Sequence, residues 1–169
     1  ALSLAPASAQ ENALLSSERD KNSYMIGMDV GNSIQAVGPD IDRASFLRAV
    51  GHALQGGEPL ISEQEAAELA PALMQRVAVR SGRPIPGMAP GSEPPPVDAA
   101  KVGLLVGADI GRSLAPVKDE IDLDLFAQGV AAMLDGSKPL LDEAEQARVR
   151  EAFGRRMQER MRAESEAVA

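Results

Sequence analysis

The chain has 169 residues, with 25 acidic against 17 basic side chains, a formal net charge of −8 and a pI near 4.7. That balance excludes the basic, counterion-releasing face that nucleic acid or anionic lipid needs, and zero cysteines exclude disulfides, thiolate nucleophiles and thiolate zinc sites. Apolar residues make up 44% but aromatics only 2%, so a core must come from Ala, Leu, Val, Ile and Met, which favours helices over a sandwich or barrel.

Residues 1–17 read as a leader. Ala7-Ser8-Ala9 before Gln10 has the small-x-small pattern at the end of a secretory signal peptide, which points to export into the periplasm; the same composition also suits a Ser/Ala-rich disordered tail. No run of 18 apolar residues exists to span a membrane. From about Glu18 to Val37 the spacing of Ile26, Val30, Ile34 and Val37 predicts a helix that ends at Gly38-Pro39. Asp42 then caps a second helix with Phe46, Val50, Ala53 and Leu54 on one face, stopped by Gly56-Gly57 and Pro59. Ser62 and Glu65 form a capping box that opens a third helix through Leu69, Leu73 and Val77 to Arg80, with a kink expected at Pro71.

Residues 81–97 are too rich in Pro and Gly for a helix or sheet interior and read as a linker. Beyond it the grammar repeats. The octet Gly27-Met28-Asp29-Val30-Gly31-Asn32-Ser33-Ile34 returns as Gly107-Ala108-Asp109-Ile110-Gly111-Arg112-Ser113-Leu114, and residues 21–80 overlay 101–160 without a gap, so the two modules, 18–80 and 98–163, are a duplication. In the second, Asp98 caps a helix with Val106, Ile110 and Leu114 inward and Pro116 as its stop. Asp122 caps a helix with Phe126, Val130, Met133 and Leu134 on one face. Asp142 and Glu145 open the last helix, and Glu151 replaces the proline, so the stripe Val149, Phe153, Met157, Met161 runs straight to about Ala163. Each module, at about 60 residues, is marginal alone, so the two are expected to pack on each other.

Glycine costs about 1 kcal/mol against alanine inside a helix, so Gly27/Gly31 and Gly107/Gly111 require a compensating contact. Side chains four apart share a face, and removing both leaves a notch into which another helix backbone fits. The residues expected to build this packing are Tyr24, Gly27, Gly31, Ile34, Phe46, Val50 and Leu54 in the first module and Leu104, Gly107, Gly111, Leu114, Phe126, Val130 and Leu134 in the second. Asp29 and Asp109 are expected to be exposed acids bonded to Ser33 and Ser113 one turn on, and the single histidine, His52, a surface or boundary residue. Met133 and Met157 are expected in the core, and the mixed Arg/Glu end from Glu143 to Glu164 as a solvated face. No phosphate loop, metalloprotease motif, nucleophile elbow or paired catalytic carboxylates occur, so no catalytic residue, metal or cofactor is expected.

The string Ser23-Tyr24-x-x-Gly27-x-x-x-Gly31, with Asp42-x-x-x-Phe46, Leu54-x-Gly56-x-x-Pro59-Leu60 and Glu63-x-Glu65, resembles the N-terminal domain of Mip-like and FkpA-type peptidyl-prolyl isomerases of the FKBP class. The second copy matches best at Phe126-x-x-Gly129 and Leu134-x-Gly136-x-Lys138-Pro139-Leu140-Leu141; it departs at Gly103-Leu104, where the family has Ser-Tyr, and the first departs at Ala49, where Gly is usual. The resemblance implies an all-α dimerisation domain whose first two helices interlock with those of a partner, the third being a stalk toward a catalytic domain that this chain lacks. Two such modules in one chain are expected to interlock as an intramolecular pseudo-dimer with a long C-terminal helix. Extended at about 3.1 Å per residue, the linker reaches roughly 50 Å, more than the roughly 28 Å length of the third helix, so a monomer is favoured over a domain-swapped dimer. The expected role is a non-enzymatic, chaperone-type module for unfolded or secreted clients. A fragment of an isomerase and a structural spacer or adaptor remain the alternatives.

Overall fold

The computed structural model describes residues 15–87, 89 and 91–168. Most of the leader therefore lies outside the described residues. Among those described the protein is all-α, with no strand. Its helices are α1 (Glu18–Ser33), α2 (Arg43–Leu54), α3 (Glu63–Arg80), α4 (Ala99–Leu114), α5 (Leu123–Asp135) and α6 (Glu143–Val168), with 3-10 stretches at Gly38–Asp40 and Ala115–Glu120.

The starts follow from caps. The carboxylates of Asp42, Asp98 and Asp122 accept from the N–H groups of Ser45, Ala100 and Leu125, and Ser62 with Glu65 closes a reciprocal box, so orphan donors of the first turns are satisfied. The Glu145 N–H donates to the Asp142 carboxylate at 2.7 Å, setting the start of α6. Helix ends differ more from the sequence reading. α1 stops at Ser33, short of the expected Val37, because the chain tightens into successive three-residue turns, with Val37 N–H bonding Ile34 C=O and Gly38 N–H bonding Gln35 C=O. Gly56 (φ +77°) and Gly136 (φ +66°) take the left-handed conformation that terminates α2 and α5. α3 runs without interruption through Pro71, which is exposed, as is Ala67, whose carbonyl would have received the missing N–H. α6 continues past the expected Ala163 to Val168, 26 residues in all, or about 39 Å.

The helices gather into two compact units that do not follow the repeats. One combines α1 with α5 and α6; the other combines α2 and α3 with α4. Each repeat thus gives its first helix to the unit built around the other repeat's second and third helices. In the first unit Leu15, Tyr24, Met25, Met28, Phe126, Val130 and Leu141 are buried; in the second, Phe46, Val50, Val102, Ile61, Leu69 and Leu73 are. Leu15, assigned to the leader by sequence, is thus a core residue, 2% exposed.

Candidate functional site

The helix crossings are where the recurrent residues converge. In the first unit α1 lies across α5: a Cβ on Gly27 would enter the van der Waals shell of the Phe126 carbonyl oxygen, and one on Gly31 would sit 2.8 Å from the Met133 Cβ and 2.9 Å from the Val130 oxygen. α5 answers with Gly129, where a Cβ would come within 2.9 Å of the Met28 nitrogen. In the second unit α4 crosses α2 in the same way. A Cβ on Gly107 would lie 2.8 Å from the Ala49 Cβ, and one on Gly111 would lie 2.6 Å from the Ala53 Cβ and 2.7 Å from the Val50 oxygen. The lost helix propensity is thus exchanged for backbone-to-backbone approach. Of the other expected packing residues, Tyr24, Ile34, Phe46, Val50, Leu54, Phe126 and Val130 are buried, whereas Leu104, Leu114 and Leu134 are half-buried. Of the two methionines expected in the core, Met133 is half-buried under Gly31, and Met157 is half-buried on a helix with no buried residue.

Polar contacts lock the first crossing. The fully buried Ser23 hydroxyl lies 2.7 Å from the Arg19 carbonyl and 3.0 Å from that of Glu120, and accepts from the Asp122 N–H at 2.7 Å. The Tyr24 hydroxyl accepts from the Leu140 N–H at 2.9 Å. Asp29 differs from its expected role: its carboxylate accepts from Gln146 Nε2 at 3.1 Å and from an Arg150 guanidinium nitrogen at 2.6 Å, both on α6. Asp109 pairs instead with Arg112 on its own helix, because the first repeat has Ala66 and Ala70 where the second has Gln146 and Arg150. His52 is exposed, its ring lying over Gly57.

Sequence reasoning missed a buried acid in each repeat. Asp40, 4% exposed, receives Arg76 at 2.8 Å and Arg80 at 2.6 Å; Glu120, 6% exposed, receives Arg156 at 3.0 Å. Burial alone would push the Asp40 carboxyl up, but the hydrogen bonds and charges of Arg80 and Arg76 outweigh it and hold the group below the usual aspartate value. Part of the Arg-rich end therefore clamps the third helix to the corner before the second, contrary to its reading as a solvated face. The available signal was the register itself, since Asp40/Glu120, Arg76/Arg156 and Arg80/Arg160 are repeat equivalents.

One groove is open. Between the chain around Leu15–Asn22 and α6 lies a space of about 830 Å³, with Leu141, Val149 and Phe153 along it and Lys21, Glu145, Arg148 and Glu159 at its rim. The same positions in the other unit are closed by apolar packing of Ile61, Leu69, Leu73 and Val102 with Val97. Ser17 and Asn22 stand in the first unit where Val97 and Val102 stand in the other.

A family model described as the domain amino terminal to FKBP-type peptidyl-prolyl isomerase matches residues 19–83 and again 99–169. The chain belongs to this family. No curated protein and no solved structure matches it. The two matched stretches bracket the linker, and the matched model describes the segment that precedes the isomerase, not the isomerase. The first copy carries Ser23-Tyr24 where the second carries Gly103-Leu104. Among the described residues no cluster of His, Cys, Asp and Glu is suited to a metal ion, and no helix is long and apolar enough to cross a membrane.

Proposed function

We propose that this tandem FKBP amino-terminal protein is a non-catalytic pairing and chaperone-type module that holds unfolded secreted polypeptides in the periplasm. The observation that carries the reading is the open groove beside α6. An unfolded segment offers apolar side chains together with backbone donors and acceptors, and the groove offers Leu141, Val149 and Phe153 to the first and charged Lys21, Arg148 and Glu145 to the second. Reversible burial is all that holding requires, so no chemical step is involved. Export is supported by Ala7-Ser8-Ala9, and the family supports a place beside FKBP-type isomerases.

The test is suppression of aggregation of a chemically unfolded client by an equimolar amount of the chain, run beside a proline-peptide isomerisation assay. Suppression is expected, with Phe153→Glu losing most of it while keeping the helical circular dichroism signal, and isomerisation should stay at the uncatalysed tens to hundreds of seconds. Equal suppression by Phe153→Glu would overturn the groove reading, and acceleration of isomerisation would overturn the non-catalytic one. A second reading, a spacer or adaptor, is favoured by one observation: the last turns of α6, from Gln158 to Val168, are exposed throughout.

A further inference from the structure

The two crossings use the same glycines, yet they are not interchangeable, and their differences are complementary. α1 carries Ser23 and Tyr24 where α4 carries Gly103 and Leu104. The α5–α6 hairpin presents two main-chain donors to the first pair, Asp122 N–H at 2.7 Å from the Ser23 hydroxyl and Leu140 N–H at 2.9 Å from that of Tyr24. It also has Gly129, where any Cβ would press on the Tyr24 carbonyl.

The α2–α3 hairpin is cut for the other helix. It has Ala49 at the position of Gly129, and that methyl packs at the Gly107 notch. Its Asp42 N–H, the counterpart of the donor that Ser23 serves, is met by the Ala99 carbonyl at 3.0 Å. That contact brings α4 so close that a Cβ on Gly103 would lie 2.6 Å from the Asp42 oxygen. Finally, Asp29 finds Gln146 and Arg150 on α6, whereas α3 offers only Ala66 and Ala70.

We infer that these residues form an address, so that α1 accepts only a second-repeat hairpin and α4 only a first-repeat hairpin. The inference rests on the crossings themselves and not on the client-holding reading. Were α1 to cross α2 at the spacing it keeps on α5, the Ala49 methyl would be driven into the Tyr24 carbonyl, and Asp29 would lose both partners. Were α4 to cross α5, the Ala99 carbonyl could serve the Asp122 N–H as it serves that of Asp42. The part-buried Leu140 N–H, now met by the Tyr24 hydroxyl, would face Leu104, whose side chain has no acceptor, and a donor withdrawn from water and left unpaired is destabilising. Pairing is therefore heterotypic: the surface of α1 recognises an α5–α6 hairpin, its own or a second copy's, and like does not pair with like.

An exchange experiment on the full chain reads the address by thermal melting. In the first variant the helix determinants are traded: Ser23→Gly, Tyr24→Leu, Gly103→Ser and Leu104→Tyr. In the second the hairpin determinants are traded as well, adding Ala49→Gly and Gly129→Ala. The four-substitution chain should melt about 10 °C or more below the parent, and the six-substitution chain should recover at least half of that loss, even though it carries more changes. A four-substitution chain that melts with the parent overturns the inference. So does a six-substitution chain no more stable than the four-substitution one, which would make these positions independent packing sites. If the four-substitution chain does not fold at all, the six-substitution chain still decides, by folding or by failing to. Client suppression plays no part in the readout, so the two hypotheses fail separately.

Discussion

A glycine at a notch and a glycine on an open face respond oppositely to the same methyl group. At Gly27 an added Cβ meets the Phe126 carbonyl, a backbone atom that cannot swing away, so Gly27→Ala should destabilise by about 1–3 kcal/mol despite its better helix propensity. Gly154, on α6, has nothing within 4 Å of an added Cβ, and Gly154→Ala should stabilise by up to about 1 kcal/mol. Denaturant melts of the two variants test the pair, and equal signs would remove the notch argument. The buried Asp40 belongs to the same scale. Its carboxyl titrates below the ordinary aspartate value in the folded chain, so between those two values the unfolded state holds the proton. Its contribution is therefore complete above about pH 3.9 and is lost as pH falls through the lower folded value. Asp40→Asn should cost about 1.5–3 kcal/mol at pH 7 and show a flatter loss of stability below about pH 4 than the parent, as read by urea melts across pH.

At the scale of the helix, what could be read locally was readable. Asp42, Ser62, Asp98, Asp122 and Asp142 announce starts because a cap acts within three residues, and the observed helices begin beside them. Ends were less legible, since α1 gives way to a ladder of turns that leaves no apolar periodicity to break. Long-range partners of charged groups were illegible: the Arg76–Asp40 contact spans 36 residues and Arg150–Asp29 spans 121, so neither produces a pattern within a helical window. The proline difference between the repeats can be tested directly. Pro71 is exposed and its counterpart is Glu151, so Pro71→Glu restores a backbone hydrogen bond and removes a ring clash without opening a cavity. It should raise stability by about 1–3 kcal/mol. A fall in melting temperature would show that the packing of Leu69 and Leu73 depends on a bend at the ring.

For the whole molecule, the sequence made the duplication and the all-helical class plain, because an ungapped register and an aromatic-poor composition are visible without coordinates. Composition and register alone leave the grouping of helices open; interlocking enters only as what the resemblance implies, and each compact unit takes helices from both repeats. A cut in the linker should therefore not part the halves. With a protease site placed between Arg83 and Ser92, the nicked chain should elute from a sizing column as one species near 17.7 kDa, the mass expected of the intact monomer. It should separate into two fragments only in denaturant. Two fragments in native buffer would mean that the contacts of α1 with α5 and of α4 with α2 are too weak to hold without a tether, and an intact species near twice that mass would favour exchange between neighbours.

The exchange of first helices also sets a clock on synthesis. Arg19 donates to the carbonyl of Ile121, 102 residues further on, and Tyr24 waits for Leu140, 116 residues on. At about 5–20 residues per second, α1 leaves the ribosome some 5–20 s before its partners are made. Through that interval its notch and its Met25, Ile26 and Met28 have no surface to cover them, and folding repeat by repeat behind the growing chain is not open to it. The opening run Glu18-Arg19-Asp20-Lys21-Asn22 is charged or polar at every position, so the apolar surface left waiting is confined to the later turns of α1. Only α1 waits so long, because the unit from Ser33 to Asp119 has all its helices before α5 and α6 are made.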